Sequence, residues 1–157
     1  NTKMNIFVVD SDPKIAARNL CDKHVVKMIL ESAQMLCATF PEGTAPYKRS
    51  FYNHPCTKWV RESQANYEWL LTHAYELCEE YFNRYSKIHK SLEAIDWCDD
   101  NYHKLNLPNV GLTTFAQAMP DEYKNDNAVK AYRDYYNGEK SYFAKWTNQL
   151  APSWFGV

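Results

Sequence analysis

The sequence is short of glycine, of long apolar runs, of paired cysteines and of net charge, and each shortage excludes something. With four glycines and 45% hydrophobic residues, arranged in long periodic segments, the composition favours helices over sheet. No glycine-rich phosphate loop, nucleophile elbow or His-Glu-x-x-His zinc motif occurs. The five cysteines, Cys21, Cys37, Cys56, Cys78 and Cys98, form no C-x-x-C pair and no zinc spacing, which predicts reduced thiols in a cytoplasmic protein without a metal or organic cofactor. Apolar runs are broken by charge after a few residues, so no segment is long enough to span a bilayer, and a signal-peptide apolar region is not expected. Lysine plus arginine (18) nearly balances aspartate plus glutamate (19), a formal charge of -1. Any attraction to nucleic acid must therefore come from a local basic face.

What is present is a chain of 157 residues, the length of one domain (1–157) able to bury a core unaided. The expected fold is all-α, a compact helical bundle-like domain with a short extended N-terminal segment. The stretch from Asp22 to Cys37 organises the rest. It is predicted as a helix capped by Asp22, with Val25, Val26, Met28, Ile29, Leu30, Ala33, Met35 and Leu36 covering most of its surface, hence largely buried. His24, Lys27, Glu31 and Gln34 follow one another at steps of three, four and three along a single stripe. A carboxylate on a mostly buried helix must be paired or face a cleft, which makes Glu31 the first candidate for chemistry. An ordinary Lys27–Glu31 pair is the structural alternative, and spacing alone does not separate the two.

Before this helix, Met4 to Val9 reads as an extended core segment, and Asp12-Pro13 as the cap and first residue of a short helix to Leu20. After it, the proline-rich loop around Pro41 and Pro46 leads into Tyr47 to Pro55, where basic and aromatic residues interleave as they do in contacts to phosphates and bases or in a loop pinned by its aromatics. One long helix is predicted from Cys56 to about Lys90, with Arg61, Glu62, Asn66 and His73 as its polar positions nearest a site. Further helices are predicted from Ser91 to His103 and from Lys130 to Trp146, the latter weakened by Gly138. Between them Leu105 to Asp126 is predicted to be irregular, and the tail carrying Trp154 and Phe155 is expected to dock on the body. Twelve tyrosines and five tryptophans suit helix packing or, alternatively, stacking on an extruded base.

These residues carry a resemblance. Thr2-Lys3-Met4-Asn5-Ile6 looks like the short opening of the pyrimidine-dimer DNA glycosylase and abasic-site lyase family, the phage endonuclease V-like proteins. Asp22-x-His24 preceding Glu31 on the first long helix resembles that family's pattern, and Tyr52-Asn53-His54-Pro55, Met119 to Lys124 and Pro152 to Phe155 have counterparts in the same order. The Met-Asn-Ile-Phe-Val and Asp-Lys-His-Val-Val-Lys-Met segments also resemble uncharacterised phage proteins, which implies a host-cell cytoplasm. The resemblance implies an all-helical domain that acts on DNA through an N-terminal amine, here at Asn1 or Thr2, with Glu31 as the catalytic carboxylate. His24, Lys27, Gln34, Asn5, Lys3, His54 and Arg61 are then the candidates to line the substrate. Leu30 and Gln34 occupy the positions of the family's phosphate-binding arginines. Lys27 is an alternative amine if burial lowers its pKa.

Three readings stay open on the sequence: a DNA glycosylase and lyase acting on a damaged or modified base, an enzyme acting on a free nucleotide, nucleotide signal or modified base, and a binding module on the same fold. The expected partner is DNA or a nucleotide, with no membrane, and the expected state is a monomer.

Overall fold

A computed structural model describes residues 4–157. Among these residues are six α-helices, α1 (Pro13–Asn19), α2 (Asp22–Ala38), α3 (Pro55–Glu62), α4 (Gln64–Tyr85), α5 (Leu92–Asn101) and α6 (Ala128–Tyr135), and no strand. The fold is all-α, as composition and periodicity indicated. α4 lies along both α1 and α2, while α3 and α5 close over its two sides. One hydrophobic core runs through these contacts, with Leu20, Ile29, Leu36, Trp59, Leu70, Leu77 and Ile95 fully buried.

The segment from Met4 to Val9 is buried along its whole length but not extended throughout, because Phe7 turns left-handed (φ 56°) and the Val9 amide bonds back to the Phe7 carbonyl at 2.8 Å. Asn5 holds it in place: its side-chain oxygen accepts the Ile6 and Phe7 amides at 2.8 and 3.0 Å, and its amide group donates to Ala118 at 2.8 Å. α1 starts as expected, with the Asp12 side chain accepting the Lys14 and Ile15 amides.

α2 departs from the expectation at its start and on one face. Cys21, not Asp22, occupies the cap. Asp22 is drawn instead into a tertiary network, accepting from the Thr147 amide and hydroxyl at 2.9 and 2.6 Å and pairing with Arg84 at 3.1 Å. Val26 and Leu30, expected inside, are 39% and 42% exposed. α3, α4 and α5 are the helices packed against α2, and this strip stays partly open to solvent.

The long helix expected from Cys56 to Lys90 is two. Ser63 is extended (φ -156°, ψ 159°) and its hydroxyl accepts the Asn66 amide at 3.0 Å, starting α4 afresh. Asn66 in turn donates to Trp59 at 2.8 Å, satisfying a carbonyl that the end of α3 leaves free. α4 ends at Tyr85, where Ser86 turns left-handed (φ 56°). The last helix is shorter than expected as well. α6 stops at Tyr135 and widens into a π turn over Tyr136–Lys140. Gly138 lies in that turn with the Tyr123 ring packed so closely over it that a Cβ there would force the ring to shift. The tail docks as expected, Phe155 packing edge-on to Trp146 at 4.7 Å between ring centres.

Candidate active site

Glu31 lies midway along α2, and its side chain is 8% exposed. One carboxylate oxygen accepts the Asn5 amide at 3.0 Å, and the other is 3.7 Å from the Lys27 ammonium. Burial pushes its pKa up to about 7, although Lys27 and the Asn5 amide both pull it down. A carboxyl group so placed exchanges a proton near neutral pH, as an acid–base group requires.

His24 lies two turns earlier on the same face. Its ring stacks on Phe7 at 4.2 Å between centres, and its Nδ1 is 2.6 Å from the Tyr136 hydroxyl. That hydroxyl accepts the Cys21 amide at 3.1 Å, and its single proton has two acceptors to choose from, the Cys21 sulfur at 3.2 Å and His24 Nδ1. With the hydroxyl proton on the Cys21 sulfur the neutral ring donates from Nδ1, and with it on His24 the ring carries its proton on Nε2, so the tautomer is set by this choice. Burial, helped by Lys140, Lys27 and Lys23, lowers the His24 pKa to about 3. His24 is thus a neutral imidazole throughout the physiological range.

Two cavities meet at this helix. The first, of about 600 Å³, is about half polar and rich in lysine: Asn5, His24, Lys27, His54, Gln117, Lys124, Tyr135 and Lys140 are among its lining residues. The second, of about 510 Å³, is mostly apolar, with Val26, Leu30 and Phe51 as walls and Lys27, Glu31, Gln34, His89, Lys90 and Ser91 as its polar groups. Met4 and Lys27 border both. Glu31 therefore opens to the second cavity, one helical turn from the first.

Of the residues singled out in the sequence, Asn5, His24, Lys27 and His54 gather at the first cavity, and Glu31 and Gln34 at the second. Two have structural duties: Asn5 spends its side-chain amide on the backbone, and His54 caps α3 by accepting the Cys56 amide at 3.0 Å. Arg61 lines neither cavity. It donates to the Tyr52 carbonyl at 2.7 Å and stacks on the Tyr52 ring at 3.7 Å, clamping the loop. Lys27 is 53% exposed, so the burial that would have made it an alternative amine is missing. Asn1, Thr2 and Lys3 lie outside the described residues. Phe51 at the second cavity falls within the Tyr47–Pro55 stretch that the sequence marked, whereas sequence reasoning missed Lys90 there and Gln117, Tyr135 and Lys140 at the first. They come from loops and distant turns and carry no periodic signal, although Lys124 belongs to the Met119–Lys124 block already noted. Among the described residues, no three His, Cys, Asp or Glu side chains gather closely enough to hold a metal ion. No helix among them is long and apolar enough to cross a membrane.

A family model for pyrimidine dimer DNA glycosylase matches residues 4–94 of the chain. The protein belongs to this family, which defines a DNA glycosylase type of function with DNA as the substrate. The matched region holds Asn5, α2 with Glu31, and both sides of the second cavity, whereas Lys124, Tyr135 and Lys140 lie beyond it. No curated protein and no solved structure matches the chain.

Proposed function

We propose that the protein removes a damaged or modified base from DNA and cleaves the strand at the resulting abasic site, with Glu31 as the catalytic carboxylate and an N-terminal amine as the nucleophile. The observation that carries this reading is the buried Glu31 carboxylate, lifted to a pKa of about 7 and hydrogen-bonded to the backbone of Asn5 in the segment that enters the site from the N-terminal end. An α-amine has a pKa near 8, so a useful fraction is unprotonated at neutral pH, unlike a lysine amine.

The amine attacks the sugar C1′ while the base leaves with the electron pair of its glycosidic bond. Ionised Glu31 stabilises the positive charge that develops on the sugar. The C1′ adduct opens to a Schiff base, Glu31 or a water it holds takes a C2′ proton, and elimination breaks the C3′–oxygen bond to the phosphate. His24, in the tautomer that carries its proton on Nε2, hydrogen-bonds a phosphate or sugar oxygen in the lysine-rich cavity, and Lys27, Lys124 and Lys140 supply the positive field for the strand.

Borohydride trapping tests the reading. With the N-terminus defined by mass spectrometry, incubation with abasic-site and ultraviolet-irradiated duplexes is expected to give a covalent adduct that maps to the N-terminal residue. A folded protein with a free amine that traps neither duplex defeats the lyase chemistry, and an adduct on Lys27 moves the nucleophile there.

A further inference from the structure

All five cysteines are free thiols, and two of them meet. The Cys37 and Cys98 sulfurs lie 3.6 Å apart where α2 packs on α5, both buried in the core and 61 positions apart in the chain. Among the described residues no other two sulfurs are in contact. Cys21 faces the Tyr136 hydroxyl, Cys56 the Tyr132 hydroxyl, and Cys78 stands near Asp96 and Glu79.

The surroundings give the thiols different characters. The Cys37 sulfur is hydrogen-bonded by the Cys98 thiol and by the Tyr47 amide, and the Cys98 contact above all holds its pKa below the ordinary thiol value in spite of burial. The Cys98 thiol is pushed up by the same contact and by burial. Cys37 is therefore the member of the pair that ionises, and Cys98 the member that keeps its proton beside it. Cys56 and Cys78 are each pushed up to about 12, chiefly by burial. The thiolate is the nucleophile in sulfur oxidation, so a thiol disposed to react already has a second thiol against it.

We propose that Cys37 and Cys98 form a redox modification site, a dithiol that a small hydroperoxide converts into a disulfide joining α2 to α5. With hydrogen peroxide, the Cys37 thiolate attacks one oxygen and the oxygen–oxygen bond breaks. Cys37 becomes a sulfenic acid, and the other oxygen leaves as water with the proton that Cys37 released. The Cys98 sulfur then displaces the sulfenic hydroxyl, which leaves as a second water with the Cys98 proton. Two electrons pass from the sulfur pair to the peroxide. The sulfurs must approach by about 1.5 Å to reach the bond length of ~2.05 Å. Cys37 lies in the last turn of α2, next to its C-terminal residue Ala38, where such a movement disturbs least of the helix. Burial excludes bulky oxidants, which leaves a small hydroperoxide as the class that fits. The bond closes a loop containing α3 and α4, and a loop of that length strongly restricts the unfolded chain. The proposal is independent of the glycosylase reading.

The test takes the full chain, reduced and freed of reductant, through treatment with hydrogen peroxide, non-reducing peptide mapping by mass spectrometry and thermal melting. The expected product is a Cys37–Cys98 linked peptide, lighter by about 2 Da than its two reduced parts. The melting temperature should rise by roughly 10 °C and return on adding dithiothreitol. Cys98→Ala should stop at the Cys37 sulfenic acid, captured by dimedone, with no such rise. Absence of the linked peptide from folded, peroxide-treated wild type overturns the proposal, whichever other cysteine is modified. A linked peptide that lowers the melting temperature also overturns it, because the pair would then be joined only at the expense of the native packing. Dimedone capture at a cysteine other than Cys37 removes the assigned nucleophile. Should Cys98→Ala fail to fold, the wild-type mapping and melting decide by themselves.

Discussion

At the residue scale, Glu31 is held by two contacts of different kinds, and they divide what a substitution does. The Asn5 amide needs an acceptor, which glutamine supplies as well as glutamate, while Lys27 is attracted only by the charge. Glu31→Gln should therefore fold and lose base excision. Its effect on stability has a definite sign. The folded-state pKa is raised, from 4.5 to about 7, so between these values the folded protein binds more protons than the unfolded chain and wild-type stability falls as pH rises. A shift of this size corresponds to about 3 kcal/mol. Urea unfolding at pH 5 and pH 8 should show Glu31→Gln close to wild type at the lower pH and more stable at the higher. Parallel pH profiles for the two proteins would mean that Glu31 is not perturbed.

At the scale of elements, the active helix is anchored by charge rather than by its cap. Arg84 of α4 is 1% exposed, pairs with Glu80 at 3.0 Å and with Asp22 at 3.1 Å, and donates to the carbonyls of Leu20 and Arg18. It ties the end of α1 and the start of α2 to α4, while Thr147 brings the C-terminal region to the same Asp22. Removing one member of such a network leaves its partners buried without a counter-charge, which costs more than the whole network contributes. Arg84→Met should lower stability by about 3–5 kcal/mol by that principle, read by urea denaturation. Because α2 carries both His24 and Glu31, excision should fall with it even where the variant stays folded. A loss under 1 kcal/mol, the range of exposed pairs, would show the network to be open to solvent.

At the scale of the whole molecule, net charge misleads. The formal charge is -1, yet Lys27, Lys124 and Lys140 converge on one cavity and Lys27 and Lys90 on its neighbour. A local field of this kind acts on phosphates within a Debye length, about 10 Å at 0.1 M salt, whatever the far side carries. If the three lysines of the first cavity each neutralise one phosphate, the logarithm of duplex affinity should fall with the logarithm of salt at a slope of about -3. Anisotropy titrations between low and moderate salt measure it. Changing Lys27, Lys124 and Lys140 to glutamine together should flatten the slope, and a flat response in the wild type would rule out strand binding at this face.

The parts legible in the sequence were those whose physics is local. The 3.6-residue period marked the helices, Asp12-Pro13 marked the start of α1, and His24, Lys27, Glu31 and Gln34 had to share a stripe because a helix leaves no choice at those spacings. Where the prediction failed, a distant group outbid a local preference. Asp22 left its cap for Arg84 and Thr147, and Ser63 broke a continuous apolar pattern by capping α4. The division of the stripe between two cavities, the exposure of Lys27, and the arrival of Phe51, Gln117, Tyr135 and Lys140 around it depend on how loops far apart in the chain pack together. By itself the sequence determined an all-helical fold and a carboxylate on its central helix. Only the tertiary structure decided that this carboxylate is desolvated and which walls surround it, because burial and cavity shape depend on every neighbour in space, and only some of those are neighbours along the chain.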